Sequence, residues 1–215
     1  MSGFGAPFFI AIPASVGLLV LREPLVQLLF ERGRFTETST ELVAAALGAY
    51  ALGLIGHSGV EILARAFYAL HDTKTPVLLG IVSLVVNLIV SLSLINILGV
   101  TGLALANTIA ALLEMTLLIA VIRRRLGGLD DRRVALSALK TTIASVVMGL
   151  VVWGFLAMSA SASVVVRACG GALLGAGVFF LAAWLLRSEE LRVVLGALTR
   201  RLRPVKKQAT ETQSH

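Results

Sequence analysis

Five polar side chains recur on one face of an otherwise apolar run: Tyr50, His57, Glu61, Arg65 and Tyr68, at spacings of 7, 4, 4 and 3. Helical residues three, four and seven apart share a face, so the stripe predicts a helix with one polar side. A carboxylate, an imidazole and a guanidinium in such a setting could move protons, hold an anion or line a wet path. Glu61 precedes Arg65 by four residues, the favourable order for a helix ion pair. Two further runs carry polar groups more sparsely: Ser83, Asn87 and Ser91 one turn apart, and Asn107 with Glu114 on one face. A carboxylate amid apolar sequence needs a partner, a proton or water. Glu61 and Glu114 therefore lead the set of substrate-pathway candidates, with His57, Arg65 and Asn87 beside them. Ordinary roles compete at each position. An Arg near a helix end reaches the surface on its long stem, a lone His more often packs with a hydrogen bond, and Ser and Asn bond between helices.

No catalytic or metal site accompanies these residues. A nucleotide loop, zinc-ligand spacing, a nucleophile elbow and paired carboxylates are all missing from the sequence, so no catalytic residue, metal or cofactor is assigned. His57, Glu61 and Asp72 are the general acid–base candidates of a membrane enzyme, but so few acids assemble no recognisable arrangement. The single cysteine, Cys169, lies in an apolar run, which excludes an intrachain disulfide and disfavours a thiolate site.

The elements that carry these groups follow from hydropathy. The 215 residues are 57% apolar and 14% charged, against about 25% charged in soluble domains. Six apolar segments, near 7–30, 41–70, 76–98, 101–123, 134–158 and 163–187, reach the roughly 20 residues that cross about 30 Å of hydrocarbon. They are twice the length of barrel strands, so the expected fold is all-α: a polytopic membrane bundle of six transmembrane helices with antiparallel neighbours. Met1-Ser2-Gly3-Phe4 lacks a positive n-region and a cleavage site, which argues against a signal peptide and reads as a start inside a longer membrane protein.

Between the second and third segments runs ARAFYALHDTKTP, residues 64–76. Its hinge motif is Tyr68, Asp72, Thr73, Lys74, Thr75 and Pro76. Pro76 suits the first turn of a helix, Thr75 before it is biased away from helical geometry, and Asp72 or Thr73 can accept bonds from the new helix's free N–H groups.

The net charge of +7 comes from basic residues beside the apolar segments, where they set orientation and meet anionic lipid head groups. Nucleic acid is not an expected partner. With Met1 inside, the inner links hold Lys74, Arg123, Arg124, Arg125, Arg132 and Arg133, and the outer links only Arg32 and Arg34. Both termini are therefore expected in the cytoplasm. Beyond Ser188, the residues Leu191, Val194, Leu195, Leu198 and Leu202 share a face, which predicts a basic amphipathic helix on the inner surface. The last residues read as a disordered tail.

The run PASVGLLVLREPLVQLLFERGRFT, then ARAFYALHDTKTPV, then GLALANTIAALLEMTLL, in this order and spacing, resembles the MurJ (MviN) family of lipid II flippases. The resemblance implies a bacterial inner-membrane transporter of the multidrug/oligosaccharide/polysaccharide type, working by alternating access, of which this chain is the C-terminal six-helix portion. It implies lipid II or a similar polyprenyl-pyrophosphate lipid as substrate, with the pyrophosphate-holding arginines in N-terminal helices that this sequence lacks. It further implies three parts. Residues 1–125 would be four helices of the second lobe, 126–187 two C-terminal helices forming a groove for the lipid tail, and 188–215 the amphipathic helix and tail. Related polysaccharide or drug exporters, and a non-transporting membrane scaffold, are the alternatives.

The orientation is directly testable. A cysteine at position 73 should react with impermeant thiol reagents only from the cytoplasmic side, and one at position 36 only from outside. The reverse pattern would overturn both the orientation and the assignment of the last two helices.

Overall fold

The computed structural model describes residues 5–30, 37–126 and 131–185. The 31–36 link and the amphipathic helix and tail expected at 188–215 lie outside the described residues. The described residues form helices and turns, with no strand: α1 (Gly5–Phe30), α2 (Glu37–Ala69), α3 (Lys74–Leu98), α4 (Val100–Leu126), α5 (Asp131–Met158) and α6 (Gly171–Leu185), the last continuing a π-helical turn at Val166–Gly170. Six of these stretches are long and apolar enough to cross a membrane, as the hydropathy predicted. Helices are the expected answer where no water can satisfy a backbone N–H or C=O.

The closest helix approaches rest on small residues. In hydrocarbon, helices gain little from burying apolar surface and associate through close van der Waals contact and interhelical hydrogen bonds. The α2–α4 pair shows both. A Cβ added at Gly56 would stand 3.0 Å from the carbonyl carbon of Ala111 and the amide nitrogen of Leu112, and one at Gly53 would stand 2.7 Å from Thr108 Oγ1. The Thr108 hydroxyl donates to the Ala49 carbonyl at 2.7 Å, locking the register. Ser83 donates to the Ala110 carbonyl at 2.9 Å, joining α3 to α4. Ser15 donates to the Ala51 carbonyl at 2.6 Å, joining α1 to α2.

A second packing centre lies on the other side of α1. Leu21, Ala144, Met148, Val152, Phe179 and Ala183 bury one another where α1, α5 and α6 meet. Glycines supply the close approaches here too: Gly149 faces Val16, Gly171 faces Leu21 and Gly175 faces Val152. α3 is covered least. It lies along α4 and barely touches α2, leaving Leu78, Leu84, Leu88 and Leu92 exposed.

The α3–α4 turn passes through Gly99 at φ 57° and ψ −133°, a conformation that glycine adopts without strain. Just beyond it, Gly102 brings the α4 backbone against Leu94, where an added Cβ would meet the Leu94 carbonyl oxygen at 2.7 Å.

Gly56→Ala should therefore lower the thermal midpoint in detergent, because the clash is with backbone, and overpacking costs about 1–3 kcal/mol. Gly154 meets nothing within 4 Å, so Gly154→Ala should leave the midpoint unchanged or raise it through helix propensity, by up to about 1 kcal/mol. Thermal unfolding of the two variants side by side checks the contrast.

Candidate functional site

The close α2–α4 approach opens a polar cleft beside it. His57 of α2, Ser83 and Asn87 of α3, and Asn107 and Glu114 of α4 line a cavity of about 190 Å³. Each reaches it for a stated reason. Gly53 and Gly56 let α2 lie near enough for the His57 Nε2 and Asn107 Nδ2 atoms to stand 3.0 Å apart. With the amide donating, the imidazole accepts at Nε2 and carries its proton on Nδ1. Asn87 accepts at Oδ1 from the Ser91 hydroxyl at 3.1 Å, which orients its amide. Gly80, without a side chain, makes room for the Glu114 carboxylate, whose Oε1 would stand 3.4 Å from a Cβ placed there.

Three of the five expected pathway residues thus converge: His57, Asn87 and Glu114, together with Asn107. Glu61 and Arg65 do not line the cleft. They form the predicted ion pair one turn apart on α2, with side chains 66% and 73% exposed. Tyr50 and Tyr68 are likewise exposed, so the stripe runs along the uncovered side of α2, and His57 stands where stripe and cleft meet. Chemically, the cleft offers neutral amides, an imidazole and a carboxylate, a set suited to hydrogen-bonding a polar group or cation within the membrane.

The hinge is built more tightly than its sequence suggested. α2 ends in a paired turn: the His71 N–H bonds to the Tyr68 carbonyl and the Asp72 N–H to the Phe67 carbonyl, each at 3.0 Å. This closure places His71 at φ 59°, a left-handed position usually held by glycine. Asp72 then caps α3, its Oδ1 accepting from the Lys74 and Thr75 amides at 3.1 Å each. Thr73 makes no side-chain cap bond. Thr75, expected to be extended before Pro76, is instead helical, because the Asp72 carboxylate holds its N–H within the first turn. Pro76 still falls in that turn, where its lack of an N–H is harmless.

The second oxygen of Asp72 carries the contact that the sequence did not reveal. Oδ2 accepts from the Thr75 hydroxyl at 2.6 Å and pairs with Arg125 Nη1 at 2.6 Å. Arg125 also donates to Thr75 Oγ1 at 3.2 Å and lies 5.8 Å from the ring centre of the fully buried Phe67. An arginine expected to face lipid head groups thus clasps the α2–α3 hinge to the end of α4. The only signal available was charge: Asp72 and the Arg123–Arg125 run were expected at the same end of the bundle. The Thr75 hydroxyl above all, then the Thr75 amide, the Arg125 charge and the Lys74 amide hold the Asp72 carboxyl below its ordinary pKa, with partial burial opposing.

Residues 3–171 match the family described as lipid II flippase MurJ. The chain belongs to that family. A probable lipid II flippase MurJ of Vibrio cholerae is 40% identical over 110 residues, covering 51% of this chain and 21% of the relative. The Rhizobium tropici protein of the same description is 29% identical over 201 residues, covering 90% of this chain and 38% of the relative. A solved structure, lipid II flippase MurJ in an inward closed conformation, superposes with a TM-score of 0.73 at 24% identity, covering 86% of this chain and 38% of that one. That likeness shows the fold. The chain spans between about a fifth and two fifths of the length of these MurJ proteins, and it is a multi-pass membrane protein of a transporter family.

Asp72 makes the hinge acid-sensitive. A carboxyl whose folded pKa lies below its unfolded value stabilises fully above the unfolded value, about 3.9, and loses that contribution as pH falls through the folded one. The thermal midpoint of the chain should exceed that of Asp72→Asn by a constant margin from pH 7 to about pH 5. The margin should shrink below about pH 4. A margin that grows on acidification would contradict the clasp.

Proposed function

We propose that this chain forms the C-terminal helices of a lipid II flippase, which moves the undecaprenyl-pyrophosphate-linked precursor from the inner to the outer leaflet for cell-wall synthesis. The observation that carries this reading is the match of residues 3–171 to the MurJ family. The relatives are described as lipid II flippases, and the substrate comes to this chain by that kinship. It acts as a transporter rather than an enzyme and needs no cofactor. Its partners are lipid II, anionic membrane lipids and the N-terminal helices of the same transporter. It lies in the bacterial inner membrane with both termini in the cytoplasm, an orientation supported by the basic residues of the inner links.

The helix arrangement supports a division of labour. α2 carries the exposed Tyr50–Tyr68 stripe on the side that no described helix covers, and a charged pair there fits a water-filled cavity better than lipid. We assign that side to the wall of an alternating-access pathway between two lobes, with Glu61, Arg65 and His57 along it and Asn87 and Glu114 in the adjoining cleft. α5 and α6, with exposed Trp153, Leu173, Phe180 and Leu181, suit the polyprenyl tail.

The test is translocation of labelled lipid II by the full transporter in liposomes. Glu61→Ala and Arg65→Ala each strand one charge, at a cost between the ~0.5 kcal/mol of an exposed helix pair and the ~3–5 kcal/mol of a buried one. Each should slow translocation, and the double substitution should restore part of the loss. Strictly additive losses would overturn the paired, pathway-lining role. Transport of another polyprenyl-linked glycan in place of lipid II would favour a related polysaccharide exporter.

A further inference from the structure

The cleft between α2, α3 and α4 holds polar functions that nothing among the described residues answers. The Asn107 amide donates to His57 Nε2 at 3.0 Å, which leaves the Asn107 Oδ1 unused. The Ser91 hydroxyl donates to Asn87 Oδ1 at 3.1 Å, which leaves the two Asn87 N–H groups without an acceptor. Glu114 receives no hydrogen bond and no ion pair from any described residue. Glu61 and Arg65 answer each other outside the cleft, so neither serves it.

These groups lie deep. Asn87 stands midway along α3 (Lys74–Leu98) and Glu114 midway along α4 (Val100–Leu126), each roughly 18 Å from the ends of its helix. At such a depth an unpaired carboxylate or amide needs water or a polar ligand. The cavity of about 190 Å³ is smaller than the ~300–1,000 Å³ that encloses a whole ligand, so it takes one polar group of a larger molecule. Gly80 keeps space beside Glu114, whose Oε1 would stand 3.4 Å from an added Cβ. His57 lines the cleft and is exposed, which marks the mouth on the flank that carries Glu61 and Arg65.

We propose that this cleft binds a carboxamide group of the molecule carried across the membrane. The carboxamide N–H donates to the Glu114 carboxylate and its C=O accepts from the Asn87 amide, so one planar group answers an unpaired acceptor and an unpaired donor. The two partners stand on different helices, which suits a group whose donor and acceptor are separate atoms better than a hydroxyl. A phosphate would be repelled by Glu114, and a bare cation would meet the Asn87 N–H groups. Carboxamides occur in the N-acetyl groups of amino sugars and in peptides. The inference rests on the proposed function, which makes the molecule a cell-wall precursor.

The test uses the 215-residue chain in lipid nanodiscs and saturation-transfer NMR with soluble probes. N-Acetylglucosamine and N-acetylalanine methylamide carry a carboxamide, glucose carries none, and glucosamine carries an ammonium in its place. At least one carboxamide probe should bind about tenfold more tightly than glucose, as expected for hydrogen bonds to otherwise unpaired groups. The tighter of the two identifies a sugar N-acetyl or a peptide as the group held. Asn87→Leu, whose new side chain suits a membrane helix, should abolish that preference at an unchanged thermal midpoint, and Glu114→Ala should do the same. Carboxamides held no better than glucose overturn the proposal without any variant, as does a preference that survives both substitutions. Glucosamine as the tightest probe would overturn it in favour of a cation site. None of these readouts involves translocation, so their failure beside intact lipid II transport by the full transporter removes this inference and leaves the flippase reading standing.

Discussion

The approach of α2 to α4 is the constraint on which the rest of the described structure depends. Gly53 and Gly56 remove the side chains that would hold the two backbones apart, and Thr108, Ala111 and Leu112 form the matching surface. Once the helices are this close, the Thr108 hydroxyl finds the Ala49 carbonyl and His57 comes within hydrogen-bonding distance of Asn107. The Ser83 hydroxyl then sets α3 against the same stretch of α4. In a membrane this matters more than in water, because lipid tails solvate leucine as well as another helix does, and close contact and hydrogen bonds must supply the specificity.

Each end of the trio formed by α2, α3 and α4 is closed differently. At one end Gly99 turns the chain within a single residue. At the other, one carboxylate does three things at once. Asp72 caps α3, bonds the Thr75 hydroxyl and pairs with Arg125, and its side chain is only 14% exposed. The Thr75 hydroxyl and amide, Arg125 and the Lys74 amide together stabilise that charge more than burial opposes it, which is why its proton affinity falls. Beneath it, Leu63, Phe67, Leu118 and Ile122 bury one another, so an apolar layer and an ion pair together fasten the hinge to α4.

This arrangement separates two kinds of polar group on one helix. His57, itself exposed, lines the cleft with Asn87, Asn107 and Glu114. Glu61 and Arg65, one and two turns along, satisfy each other on the open side of α2. α2 thus presents a polar cleft on one flank and an exposed charged pair on the other, with His57 common to both.

Much was legible in the sequence because the membrane restricts the choices. Runs of about 20 apolar residues can only be spanning helices. Short links force antiparallel neighbours, and the i,i+4 spacing of Glu61 and Arg65 is already a distance. What only the tertiary structure decided are the contacts between residues far apart in sequence. Spacing along a helix cannot say which flank faces which neighbour, so the sequence grouped Glu61 with Glu114, whereas the fold places one outside the cleft and the other within it. The sequence likewise could not show that Arg125 turns toward Asp72 rather than toward lipid, because its long stem serves either purpose. Nor did it mark His71 as left-handed, since no glycine stands there and the paired turn that imposes the geometry is closed by main-chain bonds. Local periodicity determined the helices, and the rotation of each helix about its axis, set by which small residues could touch, decided the site.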